Sequence, residues 1–402
     1  MFRHIIAGMA LILWTATATA APAQGEPEPF AQWLDGLRQE AIAKGIDPAI
    51  VNRALKNIEP IERVIELDRR QPEFTLTFWK YLNGRVTEKR IQRGRELLVK
   101  HRDILEKVSK EFGVQPRFLV SFWGLESNFG DYTGTFPLVG ALATLSHDPR
   151  RSNFFREQLL AALKVMARGD IPVNVKSSWA GAMGNMQFIP TTYRDFAIDF
   201  DNNKKRDMWN SLPDIFASAA NYLSRSGWQG DEAWGREVRL PKDFDYDQAE
   251  LGKNKPISQW QRIGVRRIDG SDLPRVDIDG ALILPAGYSG PAFLVYNNFQ
   301  TILKWNRSFL YAIAVGHLAD RLAGQGPLQS RRPTQEIPLS RRDIMDLQRL
   351  LTDRGFDTAG TDGVVGPQTR KAIKSFQRKA KLPADGYPTA GLLEKLRGAA
   401  IQ

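Results

Sequence analysis

Apolar residues in the first third of the chain recur with the spacing of helices. Between residues 30 and 113 they fall three or four positions apart, which places them on one face of each helix. The positions that carry this pattern are Trp33, Leu34, Leu37, Ala41, Ile91, Leu97, Leu98, Ile104, Leu105 and Val108. From residue 114 to 228 the spacing continues but is interrupted by loops rich in glycine and asparagine. The pattern predicts a helical scaffold whose loops carry the functional site.

The pattern changes between residues 235 and 291. Short apolar runs at 238–240, 265–267 and 281–284 are separated by proline, glycine and aspartate. Runs of this kind are typical of strands, so we predict a small β-containing insertion. Helical spacing returns from Phe293 to Leu322, and residues 324–338 have the composition of a linker.

The last segment of the chain contains an internal duplication. Gln348 is followed by an Asp-Gly pair at 362–363, and Gln377 is followed by an Asp-Gly pair at 385–386. Each half predicts a helix, an Asp-Gly turn and a further helix whose N-cap is a threonine, Thr369 or Thr389. Two such halves bury one small core, so residues 339–398 are predicted to form a second, compact domain.

Length and composition support a globular protein with more than one domain. The 402 residues are 42% hydrophobic and 25% charged, enough for a large core. Basic residues at positions 3 and 4, an apolar run at 5–14 and small residues up to position 23 predict a signal peptide at 1–23, cleaved after Ala20 or Ala23. That run is shorter than the ~20 residues of a membrane span. We therefore predict an exported, periplasmic protein with no membrane span.

Charge and cysteine usage narrow the partners. There is no cysteine, which excludes disulfides, thiolate metal sites, a cysteine nucleophile and a lipid-modified cysteine. The formal net charge of +11 favours a polyanionic partner. An exported chain meets anionic lipid or an acidic cell-wall polymer far more often than nucleic acid, so nucleic acid is not predicted as a partner.

Glu126 is the first candidate for chemistry. It follows Phe122 by four residues and Trp123 by three, so a helix that begins at Pro116 places its carboxyl beside an aromatic face. Partial desolvation at that place would raise its pKa and suit it to donate a proton near neutral pH. A salt-bridged glutamate at a helix end is the better interpretation of this helix alone. The functional interpretation depends on the next motif.

Residues 177–190 combine small residues with amides and aromatics. Small residues let a ligand approach the backbone, while Ser178 and Gln187 can bond polar substituents. Residues 296–311 add aromatics and amides, which suit the faces and hydroxyl groups of sugars, although about half of these aromatics are expected in the core. Close helix packing is the alternative for the first segment, but it does not account for the polar side chains.

The segment 199–210 has the outline of an EF-hand calcium loop. Lys204 replaces the turn glycine and Asn210 replaces the bidentate acid. Lys204, Lys205 and Arg206 can also neutralise the loop aspartates, so a self-paired polar loop is favoured over a metal site, and no metal or cofactor is predicted. The four histidines show no ligand spacing, and no phosphate loop or serine-esterase motif occurs.

Taken together, these motifs resemble those of the lysozyme-like lytic transglycosylases of the membrane-bound B type. The resemblance spans residues 30–322 through the segments 126–130, 178–190, 199–210 and 297–308. It implies a mainly α, lysozyme-like catalytic domain at 27–323, with Glu126 as catalytic acid/base. It also implies that Ser178, Gln187 and Asn306 line the sugar subsites and that Tyr311 flanks the reacting sugar.

The C-terminal segment resembles peptidoglycan-binding domains of the common three-helix type. Asp362, Gly363, Gly366 and Gln377 are among the residues that carry this resemblance. The expected partner is therefore the glycan of peptidoglycan, with the segment 339–398 acting as an anchor after a linker at 324–338.

A reaction follows from the motifs and the resemblance. Glycosidases ordinarily use two carboxylates, but only Glu126 lies in a recognisable motif. One carboxyl suffices if the C6 hydroxyl of the sugar attacks in place of water, which gives a 1,6-anhydro end on N-acetylmuramic acid. The alternatives are a hydrolytic muramidase on the same scaffold and a non-catalytic wall-binding scaffold.

Overall fold

The structure of the protein is a computed structural model that describes residues 28–69, 76–332 and 337–398. The predicted signal peptide at 1–23 lies outside the described residues. Within the described ranges, none of the helices combines the length and apolar character that a membrane crossing needs.

The N-terminal part is helical, as the spacing of apolar residues predicts. Its helices are α1 (Phe30–Ala43), α2 (Pro48–Ala54), α3 (Glu62–Arg69), α4 (Phe78–Arg85), α5 (Glu88–Lys100) and α6 (Arg102–Phe112). Threonine side chains cap α4 and α5 because Thr77 accepts from the amide of Lys80 and Thr87 from the amide of Arg90. Most of the positions that carry the predicted pattern are buried, and the rest are half-buried.

A second group of helices includes the helix that carries Glu126. They are α7 (Pro116–Ser127), α8 (Leu138–His147), α9 (Ser152–Ala167), α10 (Pro190–Phe196), α11 (Leu212–Arg225), α13 (Asn297–Trp305) and α14 (Phe309–Leu322). Every residue from 118 to 125 of α7 is buried, so this helix has no solvent face before Glu126. Two short strands, β1 (Phe136–Pro137) and β2 (Lys176–Ser177), pair with each other.

The predicted insertion is an antiparallel sheet of five strands with one helix. Its elements are β3 (Gly235–Arg239), β4 (Lys255–Pro256), α12 (Ile257–Ile263), β5 (Arg266–Arg267), β6 (Asp279–Ile283) and β7 (Ala292–Val295), with strand order β4-β6-β7-β3-β5. The predicted return of helix at Phe293 is wrong, because Phe293 lies in β7 and α13 begins at Asn297. All four residues of β7 are buried, and a short apolar run of this kind has no periodicity that separates strand from helix.

Trp234 joins this sheet to the helical scaffold. Its indole lies against the backbone of Gly316 on α14, where a side chain would clash with the ring. Its Nε1 donates to Asp320 Oδ2 at 2.8 Å, and its carbonyl accepts from the amide of Tyr296, just after β7. The two ends of the insertion therefore meet at one buried tryptophan.

The C-terminal segment has three helices around its own core: α15 (Arg341–Thr352), α16 (Pro367–Lys379) and α17 (Ala390–Gly398). Thr389 caps α17 as predicted, because its hydroxyl accepts from the amide of Leu392. The predicted cap at Thr369 is wrong: α16 begins after Gly366, and Thr369 is buried inside the helix, where its hydroxyl accepts from Gln348 Nε2. The proline at the first position of α16 lacks an amide that needs a cap.

The duplication appears in the structure as the same hydrogen-bonded clasp, made twice. Gln348 donates to Asp362 Oδ1 at 2.9 Å and accepts from the amide of Gly363 at 2.8 Å. Gln377 donates to Asp385 Oδ1 at 2.7 Å and accepts from the amide that follows Asp385 at 2.8 Å. Both glutamines are buried, so each clasp satisfies polar groups that have lost water.

The C-terminal helices also contact the insertion, which the linker composition did not predict. Arg378 on α16 forms two hydrogen bonds to Asp247, at 2.8 and 2.6 Å. Asp385 Oδ2 accepts from the amide of Tyr288 at 2.8 Å. The second clasp therefore borders the insertion, and no such contact is recorded for the first among the described residues.

Candidate active site

Glu126 lies in the last turn of α7, where the helix ends abruptly. Asn128 and Phe129 adopt left-handed backbone conformations, with φ of 53° and 62°. The amide of Gly130 donates to Ser127 Oγ at 2.9 Å, and a Cβ at Gly130 would lie 2.5 Å from Asn185 Oδ1. The predicted helix end is confirmed, and the tight turn explains why glycine is needed at 130.

Two donors from the far end of the sequence reach the same oxygen of Glu126. Trp305 Nε1 donates to Oε1 at 2.8 Å, and the Tyr311 hydroxyl donates to Oε1 as well. Trp305 ends α13 and Tyr311 lies in the first turn of α14, so one loop between two helices delivers both donors. Hydrogen bonds of this kind hold the carboxyl in one orientation and stabilise its charged form.

Trp305 is held in place by other aromatic rings. Its ring centroid lies 4.5 Å from that of Phe122, 5.3 Å from that of Phe188 and 5.1 Å from that of Tyr222. Phe122 was predicted to lie beside Glu126, and here it supports the tryptophan that contacts Glu126. The role of Trp305 was missed, because nothing in its local sequence separates a donor from a core residue.

Tyr311 remains protonated over the whole physiological range. Burial raises the pKa of its phenol well above the ordinary value, and the adjacent charge of Glu126 raises it further. Its side chain is 6% exposed. The phenol is therefore a permanent hydrogen-bond donor to Glu126.

Glu126 opens into a cavity of about 200 Å³. The residues that line the cavity are Tyr81, Arg85, Leu125, Glu126, Gln187, Asn306 and Tyr311. Four of the five residues assigned from the sequence thus meet in one place. Of the described residues that line the cavity, Glu126 is the only acid and Arg85 the only cation. Tyr81 and Arg85 on α4 were missed, since they lie in an ordinary helical pattern with no motif around them.

Gln187 and Ser178 are both fixed by backbone contacts. Gln187 has a φ of 48°, and its side-chain amide donates to the carbonyls of Gly184 at 2.9 Å and Thr133 at 3.3 Å. Ser178 Oγ accepts from the amides of Ala182 at 3.1 Å and Ala180 at 3.3 Å. Ser178 organises this loop but is not among the residues that line the cavity, and its contact with a sugar stays a prediction.

The aromatic segment 296–311 divides between core and cavity. Tyr296 and Phe299 are fully buried structural residues, whereas Phe309 is 40% exposed. Asn306 follows α13, and its side-chain oxygen accepts from the amide of Ser308 at 3.0 Å. This hydrogen bond fixes the side chain of Asn306 at the edge of the cavity.

The loop 199–210 brings carboxylates together. Oxygens of Asp199, Asp201 and Asp214 all lie within 4.8 Å of one another. Lys204 has a φ of 69°, the left-handed conformation that the turn glycine of a calcium loop supplies. Asp214 was missed, because it follows the loop at the start of α11. Burial, together with the charge of Asp201, raises the pKa of Asp214, although backbone amides oppose this.

The predicted neutralisation of this loop by its own cations is wrong for Arg206. Arg206 pairs with Asp170, which precedes the loop by about 30 positions. Backbone amides bind the loop carboxylates instead, since the amide of Lys204 donates to Asp199 at 2.8 Å. What favours a divalent cation is that three carboxylates lie close enough together to share one ion.

Helix α14 also carries a buried histidine, His317, and a half-buried aspartate, Asp320. Burial raises the pKa of Asp320 to about 6, against the opposing hydrogen bond from Trp234 and the charge of Arg117. Burial lowers the pKa of His317 to about 4, and the charge of Arg321 lowers it as well. Near neutral pH the histidine is therefore uncharged.

Two segments of the chain match known protein families. Residues 29–320 match the family described as transglycosylase SLT domain, and residues 340–396 match a putative peptidoglycan binding domain. The chain is 31% identical over 259 residues to membrane-bound lytic murein transglycosylase B of Escherichia coli strain K12, which covers 61% of this chain and 67% of that protein.

Solved structures are similar as well. SltB3 from Pseudomonas aeruginosa, in complex with NAG-anhNAM-pentapeptide, matches with a TM-score of 0.89 at 47% identity and covers 92% of this chain and 100% of that one. The Escherichia coli lytic transglycosylase Slt35, in complex with calcium, matches with a TM-score of 0.62 at 27% identity, over 73% of this chain and 93% of that one.

The mainly α, lysozyme-like fold and the enzyme class expected from the motifs are both confirmed. The chain belongs to the transglycosylase SLT family, as a peptidoglycan lytic transglycosylase of the membrane-bound B type with a C-terminal peptidoglycan-binding domain.

Proposed function

We propose that Glu126 cleaves the bond from N-acetylmuramic acid to N-acetylglucosamine and that the product ends in a 1,6-anhydro-N-acetylmuramic acid. One observation supports this most directly. Of the described residues that line the cavity, Glu126 is the only acid, and two neutral donors bind its Oε1. A mechanism with one carboxyl therefore suits this cavity better than one with two flanking carboxylates.

In the first step, Glu126 as the acid donates its proton to the glycosidic oxygen as the bond to the anomeric carbon breaks. The substrate's own 2-acetamido group stabilises the positive charge that develops there. Glu126 is then a carboxylate, and the donors Trp305 and Tyr311 stabilise that charged form.

In the second step, the carboxylate removes the proton of the C6 hydroxyl, whose oxygen bonds to the anomeric carbon. Attack within one sugar has a large effective-concentration advantage over attack by water. Gln187, Asn306 and Tyr311 hold the sugars at the cavity, and Ser178 does so through the loop that it organises.

The products test this proposal. Sacculi digested by the purified enzyme are treated with borohydride and analysed by mass spectrometry. We expect muropeptides that lack a reducing end and are lighter by one water than hydrolytic products. Predominantly reducible muramic acid ends would establish the muramidase alternative, and an absence of products would leave the wall-binding scaffold.

The segment 339–398 is proposed to hold the enzyme on the wall after export to the periplasm. A chain ending before Leu339 should bind sacculi at least ~10-fold less tightly, because the second contact is lost. It should still cleave short soluble glycans. Loss of both properties would show that the contacts of Arg378 and Asp385 with the insertion support the catalytic domain.

The loop 199–210 is proposed to bind calcium, with Asp199, Asp201 and Asp214 as carboxylate ligands. The ion would brace the loop against α11 and take no part in the reaction. Calcium should raise the unfolding temperature of the metal-free protein, and Asp201→Asn should reduce that increase. An equal response to magnesium or to added ionic strength would contradict a specific site.

A further inference from the structure

We propose that Arg85 binds the lactyl group of the muramic sugar and thereby makes the cavity selective for peptidoglycan over glycans built only of N-acetylglucosamine. The inference rests on the proposed function, since it places the muramic sugar beside Glu126. It assigns a binding and specificity role to a residue that none of the sequence motifs contains.

The position of Arg85 is well fixed. It is the last residue of α4, whose residues Phe78, Trp79, Tyr81 and Leu82 are buried in the main core. The helix is closed by the amide of Val86, which donates to the carbonyl of Leu82 at 2.7 Å. Arg90 donates to the carbonyl of Arg85. The backbone at the cavity edge is thus held from both sides.

The side chain is directed by its neighbour on the same helix. The guanidinium carbon lies 5.5 Å from the centroid of the Tyr81 ring, and both residues line the cavity with Glu126. The charge of Arg85 also acts on Tyr311. It lowers the pKa of the Tyr311 phenol, whereas burial and the charge of Glu126 raise that pKa by more. The guanidinium is therefore part of the electrostatic environment of the reacting groups.

A cation that lines the cavity does not favour the reacting carbon itself, because the reaction builds positive charge on the sugar. The amides and phenols that line the cavity can form hydrogen bonds with the hydroxyl and acetamido groups of a sugar. A guanidinium is suited to a carboxylate or to the oxygen of an acyl group. Muramic acid differs from glucosamine by an O3-lactyl ether that ends in such a group, as a free carboxylate or as the amide of a stem peptide.

Binding to the inactive Glu126→Gln protein tests the role apart from turnover. Three ligands are compared by calorimetry: a GlcNAc–MurNAc tetrasaccharide with free lactyl carboxylates, the same compound with lactyl carboxamides, and chitotetraose. Arg85→Gln should weaken binding of the carboxylate ligand about 10-fold or more, because a charge-assisted pair is lost. The carboxamide ligand should lose less, and chitotetraose should be unaffected.

Two further variants exclude a general effect on folding or charge. Arg85→Lys keeps the charge but loses the planar fork, so its affinity for the carboxylate ligand should be intermediate. Arg53→Gln, an exposed arginine in the last turn of α2, should match the parent for all three ligands. If Arg85→Gln is poorly folded, as judged by its unfolding temperature, the lysine variant provides the comparison.

The outcomes are separate from those of the proposed reaction. An equal loss for all three ligands would reduce Arg85 to a structural residue, and no loss for any would remove it from the site. Both results would overturn the inference. Hydrolytic products from the active enzyme would overturn the proposed reaction but leave the ratio of ligand affinities as it is.

Discussion

The C-terminal domain and the Glu126 cavity are built in opposite ways. In the domain, a glutamine and an Asp-Gly turn 14 or 8 residues later make each clasp, and the same arrangement occurs twice. In the cavity, Glu126 meets donors that lie 179 and 185 residues further along the chain. The domain is assembled from local repeats, and the cavity is assembled by the packing of the whole catalytic fold.

This difference determines how each region should respond to a mutation. A local clasp is one element of a small core, so its loss should affect stability and leave chemistry intact. The cavity lies on a large core that tolerates a polar change near its surface, so substitutions there should affect chemistry and leave stability intact. Variants that mix the two responses would show that the regions are coupled.

The largest effect is expected for Glu126→Gln. The substitution preserves size but removes the transferable proton, so turnover on sacculi should fall by ~10²-fold or more. The unfolding temperature should stay close to that of the unmodified protein. Glu111→Gln, an exposed change at the end of α6, is the matched control. Substantial activity in a folded Glu126→Gln protein would end the acid/base assignment.

The clasps allow a paired test within the C-terminal domain. Gln377→Leu and Gln348→Leu each remove the side-chain acceptor of a glycine amide and one of the hydrogen bonds to an aspartate. The unpaired amide should lower the free energy of unfolding of the domain by about 2 kcal/mol. Only the second clasp borders the insertion, through Asp385 and the amide of Tyr288. Hydrogen exchange at Tyr288 should therefore rise in Gln377→Leu but not in Gln348→Leu. Equal exchange in both would contradict a local effect.

A smaller effect is expected for Trp305→Phe. The ring contacts with Phe122, Phe188 and Tyr222 are largely kept, while the hydrogen bond to Glu126 is lost. We expect a fall of about 10-fold in kcat, because the carboxylate form is less well stabilised. Trp228→Phe removes a hydrogen bond to Gln115 away from the cavity and serves as the control. A similar fall in kcat for both variants would point to packing.

The smallest effect concerns the pH dependence of stability and two ionisable groups on α14, Asp320 and His317. Asp320 has a folded pKa of about 6, above its unfolded value of ~3.9, so its contribution to stability is lost as pH rises from 4 to 6. His317 has a folded pKa of about 4, below its unfolded value of ~6.5, so its contribution is lost as pH falls through the same window. The two groups therefore contribute slopes of opposite sign to the dependence of the free energy of unfolding on pH.

Urea unfolding between pH 4 and 6.5 measures this compensation. Relative to the unmodified protein, Asp320→Asn should gain stability as pH rises, and His317→Asn should gain stability as pH falls. Each slope is at most ~1.4 kcal/mol per pH unit. Parallel slopes in the two variants would show that other groups dominate the pH dependence in this window.

The comparison of the two regions also explains what could be predicted from the sequence. Helix faces, the helix end at Glu126 and the Asp-Gly duplication are local patterns, and the structure contains all three. Strand β7 was mistaken for helix because four buried residues carry no period. Trp305 reaches Glu126, and Arg85 reaches the cavity, only through tertiary packing, and no local sequence pattern predicts such contacts. Asp214 joins the loop carboxylates for the same reason.

The buried Trp234 has a consequence for anyone who wishes to shorten this enzyme. By its sequence pattern, the segment 235–291 is an insertion that could be deleted to give a smaller enzyme. Trp234 rests on Gly316 where no side chain fits, and it bonds to both Asp320 and Tyr296. Excision would remove the sheet that holds Trp234 in place and would weaken its contacts with Gly316 and Asp320, on the helix that carries Tyr311. A minimal enzyme would have to keep the tryptophan and replace the sheet by a short bridge that still closes on Tyr296.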